Sequence, residues 1–158
     1  MSTTTIQPPA RPSIGGGAPE AYRAMIAFDG AIDFDPPLRE LVKVRASVLN
    51  GCAYCIDSHT RDALAAGESP RRLYALAAWP ESPLFTARER AALAVTDAVT
   101  QIDRDGLPED VYAAAQAEFD DAELAQLVMA AVAINSWNRI AISGHMTFDE
   151  PWPDDLSG

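Results

Sequence analysis

The sequence contains little cysteine, little positive charge and no long hydrophobic run. Two cysteines among 158 residues cannot form a disulfide scaffold, and a hydrophobic content of 48% instead predicts one domain with an ordinary hydrophobic core. Twelve lysines and arginines stand against 23 aspartates and glutamates, which gives a net charge of −11 and a pI near 4.4. Such a surface repels phosphate backbones and anionic lipids, so we expect neither nucleic acid nor a membrane as a partner.

The sequence also shows no targeting segment and no membrane span. Residues 1–9 hold neither the basic region nor the apolar stretch of a secretory signal, and the longest apolar run, Leu127–Ile134, is too short to cross a bilayer. We therefore expect a cytoplasmic protein. Because disulfide crosslinks are rare in that compartment, the two cysteines, three residues apart, are not expected to serve as a structural crosslink.

The pattern of apolar residues predicts helices. Strict alternation of apolar and polar residues, which is typical of strands, is missing. We predict an all-α fold, a single-domain helical bundle of about seven helices over residues 18–148. It lies between a flexible N-terminal tail at residues 1–17, which ends in the run Gly15–Gly17, and an acidic C-terminal tail at residues 149–158.

Local signals predict where the helices begin and end. Asp35, which precedes a proline, predicts an N-terminal cap. Thr86 with Glu89, and Asp120 with Glu123, have the spacing of capping boxes. The second helix is expected to be well buried, and the seventh to be the central helix. The predicted helices cover residues 19–29, 36–49, 52–66, 70–78, 86–102, 108–118 and 120–143.

Cys52, Cys55 and His59 are the main candidates for chemistry. Residues three or four apart share a helix face, so a helix that begins near Cys52 places all three side chains on one stripe. A thiol reacts as its thiolate, which the start of a helix stabilises, and His59 can accept the thiol proton. On a regular helix the two α-carbons are roughly 5 Å apart, close enough for a cycle between dithiol and disulfide.

Glu40 is a candidate partner for His59. It lies on the preceding predicted helix, and the break at Asn50-Gly51 allows the two helices to fold side by side. A carboxylate beside the imidazole would orient it and raise its basicity, as in other sets of nucleophile, base and orienting group.

Other interpretations of the cysteine pair stay open. Cys52, Cys55 and His59 could bind zinc with Glu40 or His145 as a further ligand, although structural zinc sites usually have a second clear pair of ligands. The cysteines could also be unreactive buried residues. A thioredoxin fold is not expected, because its βαβ unit requires strands. His145 itself is expected to be exposed just after the last helix.

The stretch from Glu40 to Cys55, ELVKVRASVLNGCAYC, resembles the AhpD-like alkylhydroperoxidase branch of the carboxymuconolactone decarboxylase superfamily. His59 and Gly67 continue the match, and FTARERAAL at 85–93 and NSWNRI at 135–140 resemble the same branch. The resemblance covers roughly residues 18–145. It implies an all-α fold, assembly as a homo-oligomer, often a trimer or hexamer, and either peroxide reduction or thiol–disulfide transfer.

The resemblance also implies a role for each site residue. Cys55 corresponds to the cysteine that attacks the peroxide and Cys52 to the resolving cysteine, while His59 and Glu40 correspond to the proton relay. One position departs from the family pattern. Some peroxidase members have a histidine directly before the second cysteine, where this chain has Tyr54, and a tyrosine stays protonated near neutral pH. Family decarboxylases lack the cysteine pair, so lactone decarboxylation is not expected.

Together these features predict a thiol-dependent alkyl hydroperoxide reductase, a peroxidase-type enzyme that cycles between a dithiol and a disulfide. Its predicted partners are a hydroperoxide and an external dithiol or redox protein, with no bound cofactor and no metal. The alternatives are a thiol–disulfide electron-transfer adaptor with little direct peroxidase activity, and a non-catalytic helical module.

Overall fold

A computed structural model describes residues 11–147 of the chain. These residues form nine α-helices and one 3₁₀ helix, with no strand among them, which confirms the predicted all-α fold. The α-helices are α1 (Ile14–Gly17), α2 (Pro19–Gly30), α3 (Pro36–Asn50), α4 (Ala53–Ala65), α5 (Pro70–Ala75), α6 (Ala87–Thr100), α7 (Ile102–Asp105), α8 (Glu109–Gln116) and α9 (Asp121–Gly144). Seven of them correspond to the predicted seven. The other two, α1 and α7, are short helices of four residues each.

The predicted caps explain where three of the helices begin. Asp35 accepts a hydrogen bond from a backbone N–H in the first turn of α3. Thr86 and Glu89 form a capping box at the start of α6, and Asp120 and Glu123 form another at the start of α9. Each box satisfies two backbone N–H groups at the helix start that lack a partner within the helix.

The predicted fourth helix is shorter than expected. The prediction extends it from residue 70 to 78, but α5 ends at Ala75 and a 3₁₀ helix, Leu76–Glu81, follows. Pro80 explains the change, because it has no N–H to donate to the Leu76 carbonyl, as a regular α-helix would require. Arg45 donates to that carbonyl instead, at 3.0 Å.

The core lies between the three long helices α3, α6 and α9, each of which contacts the other two. α9 has 24 residues and buries Leu127 and Ile134 completely, as expected for a central helix. α3 buries most of its length, including Leu41 and Val42, as predicted. None of the helices within residues 11–147 is long and apolar enough to cross a membrane.

One ion pair lies at the side of this core, with its arginine buried. Arg45 on α3 is 8% exposed and binds Asp97 on α6 through two hydrogen bonds of 2.6 and 2.8 Å. Asp97 also accepts a hydrogen bond from the indole of Trp79 in the 3₁₀ helix, at 3.0 Å. A buried charge is stable only when it is paired and hydrogen-bonded. These partners therefore join the 3₁₀ helix to α3 and α6.

The predicted tails lie only partly within the described residues. Residues 1–10 and 148–158 lie outside them, and the latter range includes the whole predicted acidic tail. Ile14–Gly17, predicted as part of the flexible tail, form the short helix α1. The Ser13 hydroxyl caps it by accepting a hydrogen bond from the Gly16 N–H at 3.1 Å.

Candidate active site

The turn between α3 and α4 sets the position of the cysteines. Gly51 ends α3 with φ 67° and ψ 33°, in the left-handed region that glycine adopts without strain. A Cβ here would meet no atom within 4 Å, so the backbone conformation, rather than a lack of space, explains the glycine. After this turn α4 packs against α3, as the break at Asn50-Gly51 predicted.

The two thiols lie together at the start of α4. Cys52 is the N-cap residue of that helix, and its sulfur accepts a hydrogen bond from the Cys55 backbone N–H at 3.4 Å. Both cysteines are free thiols, and their Sγ atoms are 2.6 Å apart. The two sulfurs are therefore within reach of a disulfide.

A cavity of about 200 Å³, here called the thiol cavity, is lined by one of the two cysteines. Cys55 lines it together with Tyr54 and His59, whereas Cys52 does not line it and is 1% exposed. A molecule in the cavity therefore meets Cys55, with Cys52 as the second thiol behind it. The remaining lining residues are Tyr22, Asp29, Ser58, Trp137, Ala141 and Met146.

The surroundings of Cys55 favour the protonated thiol. Burial, and after it the neighbouring Cys52 thiol, raises the pKa of Cys55 to about 12. The Asn138 carboxamide acts in the opposite direction, because its hydrogen bond to the sulfur lowers that pKa. The helix start was expected to stabilise the thiolate, but burial outweighs it. Attack by Cys55 at neutral pH therefore requires a group that takes the proton during the reaction.

His59 and Glu40, predicted as partners, are brought together by the packing of α4 on α3. His59 Nδ1 lies 3.0 Å from Glu40 Oε2. Burial alone would raise the pKa of Glu40, but the hydrogen bond with His59 and the charge of Lys43 outweigh it and hold that pKa below its ordinary value. An ionised carboxylate only accepts hydrogen bonds, so the Nδ1 atom that faces Glu40 carries a proton.

Lys43 and Asp29 extend this charged group and were not predicted. Lys43 Nζ lies 3.4 Å from Glu40 Oε1 and 3.9 Å from Asp29 Oδ2. Lys43 follows Glu40 by three residues on α3, so helix spacing could have identified it. Asp29 gave no such signal, because it approaches only through the packing of α2 near α3.

Asn138 belongs to a polar network beside the thiols. It is fully buried, its amide donates to the Ser47 hydroxyl at 2.9 Å, and its carbonyl accepts from the Asn50 amide at 2.8 Å. Asn50 also donates to the Asn135 carbonyl at 2.8 Å. The network holds in place the carboxamide that contacts Cys55. Sequence analysis found Asn50 as part of the Asn50-Gly51 break, and Asn135 and Asn138 only within a segment resembling the family, since no local spacing connects α9 with the cysteines.

The described residues bring three potential metal ligands together, but neither thiol belongs to that group. Ligand atoms of Glu40, His59 and Asp62 all lie within 4.8 Å of one another. The zinc alternative with both cysteines and His145 is not assembled, because His145 lines a different cavity. The expectation that His145 is exposed is wrong. It is half-buried because the left-handed turn after α9, with φ 49° at His145, folds the chain back towards α1.

Comparisons with known proteins relate the chain to one family. Residues 19–98 match the carboxymuconolactone decarboxylase family. The uncharacterized protein YdfG of Bacillus subtilis (strain 168) is 37% identical over 129 residues, which cover 80% of this chain and 88% of YdfG.

Solved structures show the same relationship. A protein of unknown function from Agrobacterium tumefaciens, proposed to be the antioxidant defence protein AhpD, has 34% identity and a TM-score of 0.87, covering 90% of this chain and 100% of that chain. The debrominase Bmp8 shares the fold at 17% identity, with a TM-score of 0.73 over 85% of this chain and 74% of that chain. The matches include the helices that hold the thiols, and the chain belongs to the carboxymuconolactone decarboxylase family, in its AhpD-like branch.

Proposed function

We propose that this protein is a thiol-dependent reductase of organic hydroperoxides that cycles between a Cys52–Cys55 dithiol and disulfide. The arrangement of the sulfurs is the observation that carries the proposal. Cys55 lines the thiol cavity. The Cys52 sulfur lies 2.6 Å from the Cys55 sulfur, and Cys52 is not part of the cavity lining. A substrate would meet one thiol while the second is in place to resolve the product. The similarity to a protein proposed to act in antioxidant defence supports the same function.

The proposed cycle consumes two thiols and one hydroperoxide. The Cys55 thiolate attacks the outer oxygen of the O–O bond, which breaks and releases an alkoxide, and Cys55 becomes a sulfenic acid. The alkoxide takes the proton that Cys55 lost and leaves as an alcohol. Cys52 then attacks the Cys55 sulfur, water leaves, and the disulfide forms. An external dithiol reduces this disulfide by exchange and is itself oxidised.

His59 and Glu40 would manage the proton in this cycle. In the proposal, Nε2 of His59 accepts the Cys55 proton and returns it to the alkoxide. Glu40 holds the imidazole through its 3.0 Å contact with Nδ1 and stabilises the imidazolium that forms. The need for such a base follows from the raised pKa of Cys55, which leaves little thiolate at neutral pH.

A thiol–disulfide adaptor is the second candidate, and the raised pKa of Cys55 also favours it. A cysteine pair with a poorly stabilised thiolate is more reducing than a pair with a stabilised one. Such a pair passes electrons to another protein while it attacks peroxides slowly. Tyr54 supports the same interpretation, because tyrosine does not accept a proton near neutral pH.

Stoichiometric oxidation tests the proposal. The full chain is reduced, freed of reductant and mixed with one equivalent of cumene hydroperoxide, while free thiols and intact mass are followed. Both thiols should disappear and the mass should fall by about 2 Da as the disulfide forms. The Cys52→Ser variant should accumulate a sulfenic acid that dimedone captures, and Cys55→Ser should not react. Ala53→Ser, which changes an exposed neighbour and leaves both thiols, serves as the matched control.

The remaining outcomes separate the candidates. If the thiols resist peroxide but exchange rapidly with oxidised lipoamide, the reductase proposal is refuted and the adaptor function is supported. Thiols that resist both reagents in the folded protein would refute both redox functions and favour the non-catalytic module.

A further inference from the structure

A larger cavity of about 580 Å³, here called the outer cavity, adjoins the thiol cavity. It is bordered by α1, α2, the end of α9 and the residues that follow α9. Tyr22 and Met146 line both cavities, so the two share part of their walls. Its volume is within the range of small-molecule sites, which is about 300–1,000 Å³. A molecule seated in it lies next to the space in front of Cys55.

Part of the outer cavity is apolar. Ile14, Tyr22, Ile140 and Met146 provide hydrocarbon and aromatic surface. α1 packs against α2 here, and a Cβ at Gly15 would be in ordinary van der Waals contact with the Tyr22 ring, at 3.5 Å. This wall suits an aliphatic chain, which gains free energy by leaving water.

Basic side chains line the outer cavity. Arg11, Arg23 and His145 line it, and no aspartate or glutamate is among its described lining residues, although the chain carries a net charge of −11. Arg11 donates a hydrogen bond to the Ser143 carbonyl at 2.9 Å. Arg23 pairs with Glu20, but the two side chains are 65% and 86% exposed, so solvent weakens the pair. Both guanidinium groups can therefore contact an anion.

His145 also lines the outer cavity. Its Nδ1 atom is closed to solvent and has no hydrogen-bond partner among residues 11–147, so the two arginines are the groups that can meet a ligand's charge.

We propose that the outer cavity binds the carboxylate end of an organic hydroperoxide, so that the aliphatic chain lies along Tyr22 and Met146 and the peroxide group reaches Cys55. The inference rests on the proposed function and names its substrate class, the hydroperoxides of aliphatic carboxylic acids. Guanidinium groups bind carboxylates through paired, charge-assisted hydrogen bonds, which Arg11 and Arg23 can provide.

Binding of an unreactive probe tests the site separately from catalysis. Octanoate and methyl octanoate are titrated into the reduced full chain by calorimetry. We expect octanoate to bind more tightly than the ester, and the Arg11→Gln/Arg23→Gln double variant to bind octanoate about three- to tenfold more weakly, as expected for two exposed charge contacts. The affinity for the ester should change less than about twofold. Arg104→Gln, an exposed arginine on α7 away from both cavities, is the matched control.

Turnover then connects the site to the substrate. A linoleic acid hydroperoxide and its methyl ester are compared, and the double variant should raise the KM for the acid selectively. Equal affinities for octanoate and its ester in the wild type, or unchanged octanoate affinity in the double variant, would overturn the site even if neutral hydroperoxides are reduced. Arginine-dependent octanoate binding without turnover of any hydroperoxide would refute the proposed function and leave an anion site.

Discussion

Removal of His59 should change how the oxidation rate of Cys55 depends on pH. Burial raises the pKa of this thiol from the ordinary 9.0 to about 12. At pH 7 roughly one Cys55 in 10⁵ is then a thiolate, against roughly one in 10² for an unperturbed thiol. Without a base, the oxidation rate must be proportional to this small fraction of thiolate. The rate in His59→Gln should therefore rise about tenfold per pH unit from pH 7 to 10 with no plateau.

If His59 takes the proton during attack, as proposed, the wild type should be faster at neutral pH. General base catalysis contributes about 10²-fold or more. The thiolate fraction grows about tenfold per pH unit. The oxidation rates of the wild type and of His59→Gln should therefore become equal roughly two pH units above neutral, near pH 9. Stopped-flow oxidation by cumene hydroperoxide measures the rate of both proteins as a function of pH. The control is the wild-type chain unfolded in denaturant, whose oxidation rate should reach a plateau near pH 9. A plateau below pH 9 in the folded variant, or equal rates at pH 7, would refute this reasoning.

Three further predictions concern single residues. Glu40→Gln should slow oxidation at neutral pH about tenfold or more, because it leaves His59 without its carboxylate. The pKa of Glu40 in the folded protein is held below the ordinary 4.5, so the stability that its carboxylate contributes is present above that pH and is lost as the pH falls. The free energies of unfolding of variant and wild type in urea should therefore converge at low pH, and a difference that stays constant with pH would contradict this. Asp97→Ala leaves the buried Arg45 unpaired and should lower the free energy of unfolding by about 3 kcal/mol; a loss below about 1 kcal/mol would show the pair to be dispensable. Gly51→Ala should cost about 1 kcal/mol through its left-handed backbone alone, and calorimetric melting that matches the wild type would contradict it.

The sequence could predict those parts of the site that depend on local spacing. Cys52, Cys55 and His59 lie within eight positions on one helix, so helical geometry alone places them near one another. Glu40 required one further step, the packing of two consecutive helices at a glycine turn, which the Asn50-Gly51 break made predictable. Capping boxes were predictable for the same reason, because both of their residues lie within a single turn.

Features that depend on distant helices could not be predicted in this way. Asn138 reaches Cys55 from α9, and Arg45 on α3 meets carbonyl groups of the 3₁₀ helix more than thirty residues later. Such contacts are decided by how the helices pack, which no local pattern records. Pro80 is evident in the sequence, but the guanidinium that binds the carbonyl left without an N–H is not.

The reactivity of Cys55 shows most clearly how burial can reverse a local expectation. A cysteine in the first turn of a helix is expected to have a stabilised thiolate. Yet Cys55 is only 3% exposed, and its nearest neighbour is another thiol. Desolvation therefore outweighs the helix end, and the pKa rises. If Cys55 is the nucleophile, a base must take its proton during attack, and in the proposal His59, held by Glu40, is that base. The pH profile of His59→Gln therefore discriminates most directly between a peroxide-reducing site and a buried pair of thiols.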